Sequence, residues 1–151
     1  LSPKFNQPQH QVNIDCSPTL RLQTLPGAIS QVITNLVMNS LLHGFEGRND
    51  GHIEMMCAEE RGNVIIRYRD NGSGLSAEAK QKIFDPFYTT KRGQGGTGLG
   101  MHLVYNIVSQ RLQGEIMIEE VDNGTAFRLV IPKKISASDD VDQLNNAQGQ
   151  A

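Results

Sequence analysis

Along the chain, runs in which apolar and polar residues alternate give way to runs with helical spacing, and these changes of period predict the elements. Gln11-Val12-Asn13-Ile14-Asp15-Cys16 alternates, which predicts a strand near a sheet edge with Val12, Ile14 and Cys16 on one face. After Pro26-Gly27, residues Ile29, Val32, Ile33, Leu36, Val37 and Leu41 follow an i, i+3, i+4, i+7 rule and predict an amphipathic helix ending near Gly44. Ile53 to Cys57 and Val64 to Tyr68 read as two strands joined across Glu60-Arg61-Gly62-Asn63, with Gly62 supplying a positive φ. Ser76 to Phe84 reads as a short helix capped by Ser76, with Glu78 in its first turn. From Asp85 to Thr97 no period holds, and so long a loop in a compact domain is more often functional than filler. Helical spacing returns from Gly98 to Leu112 through Leu99, Leu103, Val104, Ile107 and Val108, with Gly114 placed to end the helix. Glu115 to Val121 and Thr125 to Ile131 then predict two strands around the hairpin signal Asp122-Asn123-Gly124. Hairpins mixed with helices favour an α+β fold, a two-layer α/β sandwich, over a doubly wound parallel sheet.

Composition narrows the class. A chain of 151 residues is one domain with a real core. Its 14 Lys plus Arg against 16 Asp plus Glu leave a net charge of -2, which excludes a nucleic-acid surface held by bulk charge. No apolar run approaches the roughly 18 residues of a membrane helix. The opening Leu1-Ser2-Pro3-Lys4 is neither an initiator Met nor a signal sequence, so residues 1–10 are expected to be a linker from a missing upstream segment. Residues 11–132 are expected to form the domain, and the polar residues 133–151 a disordered tail. Cys16 and Cys57 lack metal-type or redox-type spacing and are expected to be small buried apolar side chains in a reducing, cytoplasmic setting.

Several residues break the local rules. Asn35, Asn39 and His43 lie at i, i+4 and i+8 of the first long helix, where asparagine is a poor helix former. A solvated helix face explains them, and so does a pair of neutral amides suited to Mg²⁺ when phosphates fill its other positions. Strand parity puts Asp70 on the packed side with Val64, Ile66 and Tyr68, where a carboxylate needs a donor. Asn71-Gly72-Ser73-Gly74 follows, and its bare glycines would let a flat ligand lie beside that carboxylate; an ordinary turn after a strand is the alternative. Thr125 shares the parity of Phe127, Leu129 and Ile131, so its hydroxyl also reaches the interior face unless it is simply a strand threonine. Gly95-Gly96-Thr97-Gly98-Leu99-Gly100 opens the second long helix, where free amides suit phosphate, and Lys91 and Arg92 lie just before it. The cluster lacks the Lys of a Walker A loop and the βαβ setting of a Rossmann site.

In order, these pieces resemble the ATP-binding catalytic domain of sensor histidine kinases, part of the group that includes gyrase, MutL and the heat-shock chaperone ATPases. The matching blocks are Asn35-Leu36-Val37-Met38-Asn39-Ser40, Asp70-Asn71-Gly72-Ser73-Gly74 and Phe84-Asp85-Pro86-Phe87-Tyr88-Thr89-Thr90-Lys91. Gly96-Thr97-Gly98-Leu99-Gly100-Met101 and Gly124-Thr125-Ala126-Phe127 complete the series. The resemblance implies a Bergerat-type ATP-binding fold, a mixed and mostly antiparallel sheet with helices on one face. It implies ATP and Mg²⁺ as cofactors, with Asp70 on the adenine amino group, Asn39 on the metal, and Gly98 and Gly100 on the phosphates. His43, Gly72, Gly74 and Thr125 would line the nucleotide pocket. Phe87, Thr90, Lys91, Gly96, Thr97 and Leu99 would contribute from the Asp85 to Thr97 lid and the glycine block.

Gyrase-like and chaperone ATPases resemble this pattern but carry a water-activating Glu where this chain has Asn35. An amide cannot accept a proton at neutral pH, so hydrolysis should be poor and the γ-phosphoryl kept for transfer, with Asn35 and Asn39 as the catalytic pair. Many kinases have Lys then Tyr three and four places after the second Asn, whereas this chain has Leu42 and His43. None of His10, His43, His52 or His102 precedes an acidic residue, so the phosphoacceptor histidine is expected on a separate dimerisation domain. A response regulator would act downstream, and nothing in these residues shows membrane attachment of a parent protein. A non-catalytic nucleotide-binding module and a water-activating ATPase stand as the alternative functions.

Overall fold

The computed structural model describes residues 9–89 and 100–136. Five alternating segments pair into one sheet: β1 Gln11–Asp15, β2 His52–Glu60, β3 Asn63–Asp70, β4 Glu115–Glu119 and β5 Thr125–Pro132, in the order β1-β2-β3-β5-β4. β1 runs parallel to β2 at the edge and every other pair is antiparallel. Because side chains alternate along a strand, the register Ile53↔Asp70↔Thr125 fixes which residues share a face. Ile53, Val64, Ile66, Tyr68, Phe127, Leu129 and Ile131 lie on that face and form the core with the helices. Arg67 and Arg69 alternate to the opposite, exposed face. This is the expected α+β two-layer sandwich.

Helix α1, Pro26–Asn39, starts without a side-chain cap, and Pro26 stands in its first turn, where the missing amide hydrogen would have had no partner. Its buried residues Ala28, Val32 and Leu36 step by four, and the next step falls on Ser40. There the helix widens into a π-helical turn, Ser40–Gly44, closed by the Phe45 amide on the Ser40 carbonyl at 2.8 Å. Ser40, on that stripe, is buried to 1% exposure, and Leu41 is exposed, contrary to the apolar pattern that put it in the core.

Helix α2, Ala77–Lys82, is capped as expected, with the Ala79 amide donating to Ser76 Oγ at 3.1 Å. Helix α3, Gly100–Asn106, also runs into a π-helical turn, Ile107–Arg111. Met101, Val104, Ile107, Val108 and Leu112 are buried, whereas Leu103, expected in the stripe, is exposed. Gln113, not Gly114, takes the left-handed conformation after the helix, at φ 58°. Gly114 is required for a different reason: a Cβ there would overlap the Val130 carbonyl oxygen of β5. The β2–β3 turn likewise needs two left-handed residues, Arg61 at φ 51° as well as Gly62 at 80°.

Two expectations are corrected. Cys16 and Cys57 are joined in a disulfide and are not free thiols. The parallel register Ile14↔Met55 brings the end of β1 beside Cys57, a neighbourhood that a separation of 41 residues conceals. Residues 133–136, expected in a disordered tail, are held instead. The Gln23 amide donates to the Lys133 carbonyl at 2.8 Å, the Ile135 amide donates to Gln23 at 3.0 Å, and Gln113 Oε1 accepts from the Ser136 amide and hydroxyl. Residues 1–8 and 137–151 lie outside the described residues. No helix among the described residues is long and apolar enough to cross a membrane.

Candidate functional site

The sheet places Asp70 at the last position of β3, opposite Thr125 at the first position of β5, with both residues buried. Asp70 is 3% exposed, so each of its oxygens must find a donor within the fold or in a ligand. Oδ1 accepts from the Gly72 amide at 3.0 Å and the Thr125 amide at 3.2 Å; Oδ2 accepts from Ser40 Oγ at 2.7 Å. No basic side chain among the described residues pairs with it. The donor that sequence parity demanded is thus partly internal, and Thr125 supplies its backbone amide.

Glycines shape the surroundings by letting backbone approach backbone. A Cβ on Gly72 would lie 2.5 Å from the Gly44 carbonyl oxygen, and one on Gly124 would overlap the Asp70 carbonyl oxygen. A Cβ on Gly44 would sit 3.2 Å from Asp70 Oδ2. Gly74, at φ 80°, turns the loop beside Gly124. That loop is fastened to the end of the first π turn, because the Ser73 amide donates to the Gly44 carbonyl at 2.9 Å and Ser73 Oγ to the His43 carbonyl at 3.3 Å. Gly72 and Gly74 were legible as loop glycines; Gly44 and Gly124 carry a role that only packing reveals.

Ser40 and Tyr68 were not singled out by sequence reasoning. Tyr68 Oη lies 2.7 Å from Ser40 Oγ and 3.1 Å from the Leu36 carbonyl oxygen, which it can donate to. Burial pushes the Tyr68 phenol far above its ordinary range; the Ser40 hydrogen bond opposes that shift and the Asp70 charge adds to it. Tyr68 therefore keeps its proton across the physiological range. The available signal was Ser40 itself, a small polar residue one four-residue step beyond Leu36.

Asn35, Asn39 and His43 follow one another along the same helix, all half-buried. Asn35 Nδ2 is enclosed with no hydrogen-bond partner among the described residues, a donor that a phosphate or water oxygen would satisfy. Asn39 makes no side-chain hydrogen bond to the described residues. Its amide oxygen is a hard neutral ligand of the kind Mg²⁺ takes alongside phosphates and water, so the residue present fits that ion. No group of three His, Cys, Asp or Glu side chains that could hold a metal occurs among the described residues.

Phe87 is 59% exposed and holds a left-handed backbone at φ 67°, a strained conformation for an aromatic residue. Gly100 is the first residue of α3 and is exposed. Thr90, Lys91, Gly96, Thr97, Gly98 and Leu99 lie outside the described residues. Across that stretch the flanks are bonded to each other: His102 Nδ1 lies 2.9 Å from the Phe84 carbonyl oxygen, which fixes Nδ1 as the protonated nitrogen. Asn106 Nδ2 then donates to Nε2 at 3.2 Å.

Comparison with known proteins agrees with this geometry. Residues 24–135 match the family described as histidine kinase-, DNA gyrase B-, and HSP90-like ATPase. The C4-dicarboxylate transport sensor protein DctB of Rhizobium meliloti (strain 1021) is 33% identical over 135 residues, 88% of this chain and 21% of that protein. This chain thus spans about a fifth of that relative's length. The catalytic domain of histidine kinase ThkA superimposes with a TM-score of 0.74 at 29% identity, covering 87% of this chain and 84% of that one. ThkA solved in complex with response regulator protein TrrA gives 0.67 at 27% identity, covering 87% of this chain and 36% of that one. Five motif blocks in order, the described fold and these likenesses lead to one conclusion: the chain belongs to the histidine kinase-, DNA gyrase B-, and HSP90-like ATPase family.

Proposed function

We propose that this domain binds Mg-ATP and presents its γ-phosphoryl to a histidine on a separate dimerisation domain, as the catalytic part of a sensor histidine kinase. The observation that carries the reading is Asp70, a buried carboxylate with no cation beside it among the described residues and ringed by glycines at the end of the central strands. It can accept the adenine amino group, while Gly72 and Gly74 let the neighbouring backbone close in around the carboxylate. Asn39 is the residue that would hold Mg²⁺, which when bound neutralises charge on the phosphates. Asn35, whose Nδ2 lacks an acceptor among the described residues, donates to a phosphate oxygen or its bound water. It cannot take a proton from water, which favours transfer over hydrolysis. Gly98 and Gly100 are the proposed phosphate contacts, with Lys91, Thr90, Gly96, Thr97 and Leu99 from the same stretch of sequence. His43, Phe87 and Thr125 complete the proposed pocket. Support for the partner comes from ThkA, a relative solved with a response regulator. Phosphate would pass from ATP to histidine and then to a receiver domain, and the domain would act on the cytoplasmic side.

Calorimetric titration with ATP, ADP and GTP tests the reading. Adenine nucleotides should bind selectively, and Asp70→Ala should weaken ATP by about 1 to 3 kcal/mol, the cost of stranding a buried polar partner. Unchanged affinity in that variant would remove Asp70 from the site. Labelled ATP should give phosphohistidine only when a dimerisation domain with its acceptor histidine is added; stable phosphohistidine on this chain alone would refute the assignment.

A further inference from the structure

An ionised carboxylate has two acceptor sites on each oxygen and no hydrogen to give. On Asp70, Oδ1 is filled by the Gly72 and Thr125 amides, and Oδ2 holds one donor, Ser40 Oγ. Ser40 has a single hydrogen, which must go to Asp70, so its own lone pair is left to receive a hydrogen from Tyr68 Oη at 2.7 Å. Burial keeps Tyr68 protonated and thus a permanent donor. Tyr68 has one hydrogen and also lies 3.1 Å from the Leu36 carbonyl oxygen, but the shorter contact to Ser40 Oγ, which has no hydrogen left to give, claims it, and all three side chains are buried.

We propose that Ser40, oriented by Tyr68, is a positioning residue that leaves Asp70 one acceptor site and thereby sets its selectivity between purine bases. The inference rests on the reading that adenine binds at Asp70. A base offering one amino hydrogen to Oδ2, as adenine does, is satisfied. Guanine presents two adjacent donors, N1–H and the 2-amino group, and one of them would meet an oxygen that is already full. Ser40 also prevents the carboxylate from swinging to offer both oxygens, and Gly44 packs against the same Oδ2 from behind.

The test is calorimetry of ADP and GDP, with folding checked by thermal melting, on the Ser40→Ala, Tyr68→Phe, Ser40→Thr and Asp70→Asn variants. Ser40→Ala should cut ADP affinity roughly tenfold and narrow the ADP-to-GDP preference by a similar factor, the scale of one charge-assisted hydrogen bond. Tyr68→Phe, which removes one oxygen and keeps the ring, should move the preference the same way by about threefold, on the scale of a weaker neutral hydrogen bond. The double variant should go no further than Ser40→Ala, because Tyr68 acts through Ser40. Ser40→Thr, which keeps the hydroxyl, should restore the preference. If Ser40→Ala and Tyr68→Phe lower melting temperature and both affinities alike with the ratio unmoved, the pair is merely structural and the inference falls. Loss of ADP binding in Asp70→Asn alongside that unmoved ratio would confine the failure to Ser40. Unchanged ADP binding in Asp70→Asn would instead overturn the adenine reading beneath it.

Discussion

The two long helices end in the same way and to opposite effect. Each widens into a π-helical turn, Ser40–Gly44 after α1 and Ile107–Arg111 after α3. In the first the side chain carried inward is a serine hydroxyl that reaches Asp70; in the second it is Ile107 with Val108, which join the apolar core. The glycines that follow diverge likewise. Gly44 backs onto the Asp70 carboxylate, while Gly114 lets the chain press against the β5 backbone. A widened turn is therefore a neutral device, and the residue on its inner side decides whether it meets a buried polar group or joins the apolar core.

The contrast can be broken by exchanging size for polarity at each end. The largest effect is expected for Gly114→Ala, which pushes a methyl into the Val130 carbonyl oxygen and should cost about 3 kcal/mol by denaturant unfolding. Nucleotide affinity of the folded fraction should be unchanged. Val108→Ala, at a position with 0% exposure, should cost about 2 kcal/mol, again without touching affinity. Gly44→Ala should reverse that pattern. Its methyl lies 3.2 Å from Asp70 Oδ2, so stability should fall by only about 1 kcal/mol while adenine nucleotide affinity drops, read by calorimetry on the same sample. If Gly44→Ala and Gly114→Ala affect affinity alike, the division of labour between the two turns is wrong.

The smallest effect concerns pH. Tyr68 ionises at an ordinary value of 10.0 when unfolded and far higher when folded. Its contribution to stability is therefore complete below that ordinary value and is lost as pH rises through the folded one. Unfolding free energy should be flat in this respect through neutrality and decline above about pH 10. Tyr68→Phe should flatten the alkaline decline, and a decline that persists in full would assign it to another group.

What sequence could reveal and what it could not divide along physical lines. Strand parity found Asp70 and Thr125 on the inner face, and turn chemistry found the Asp122-Asn123-Gly124 hairpin and the Ser76 cap, because these depend on near neighbours in the chain. Ser40 escaped because a search for apolar periodicity assigns the inner stripe to Leu41, although one helical turn beyond Leu36 lies the serine, whose polarity hides it from such a count. Arg61, in the β2–β3 turn, and Gln113, between the second π-helical turn and β4, took left-handed positions that composition would give to the glycines beside them. The Cys16–Cys57 link depends on the register of a parallel pair, which no local pattern encodes.

Thr125 is the first residue of the last strand among the described residues, yet its amide completes the donor set around Asp70, 55 residues earlier. A partly folded chain with β2 and β3 paired but β5 undocked would have an incomplete receptor, so nucleotide would reward only the finished domain. Adenine nucleotides should accordingly slow global unfolding without capturing any collapsed intermediate, and binding becomes a report on whether synthesis and folding have run to completion.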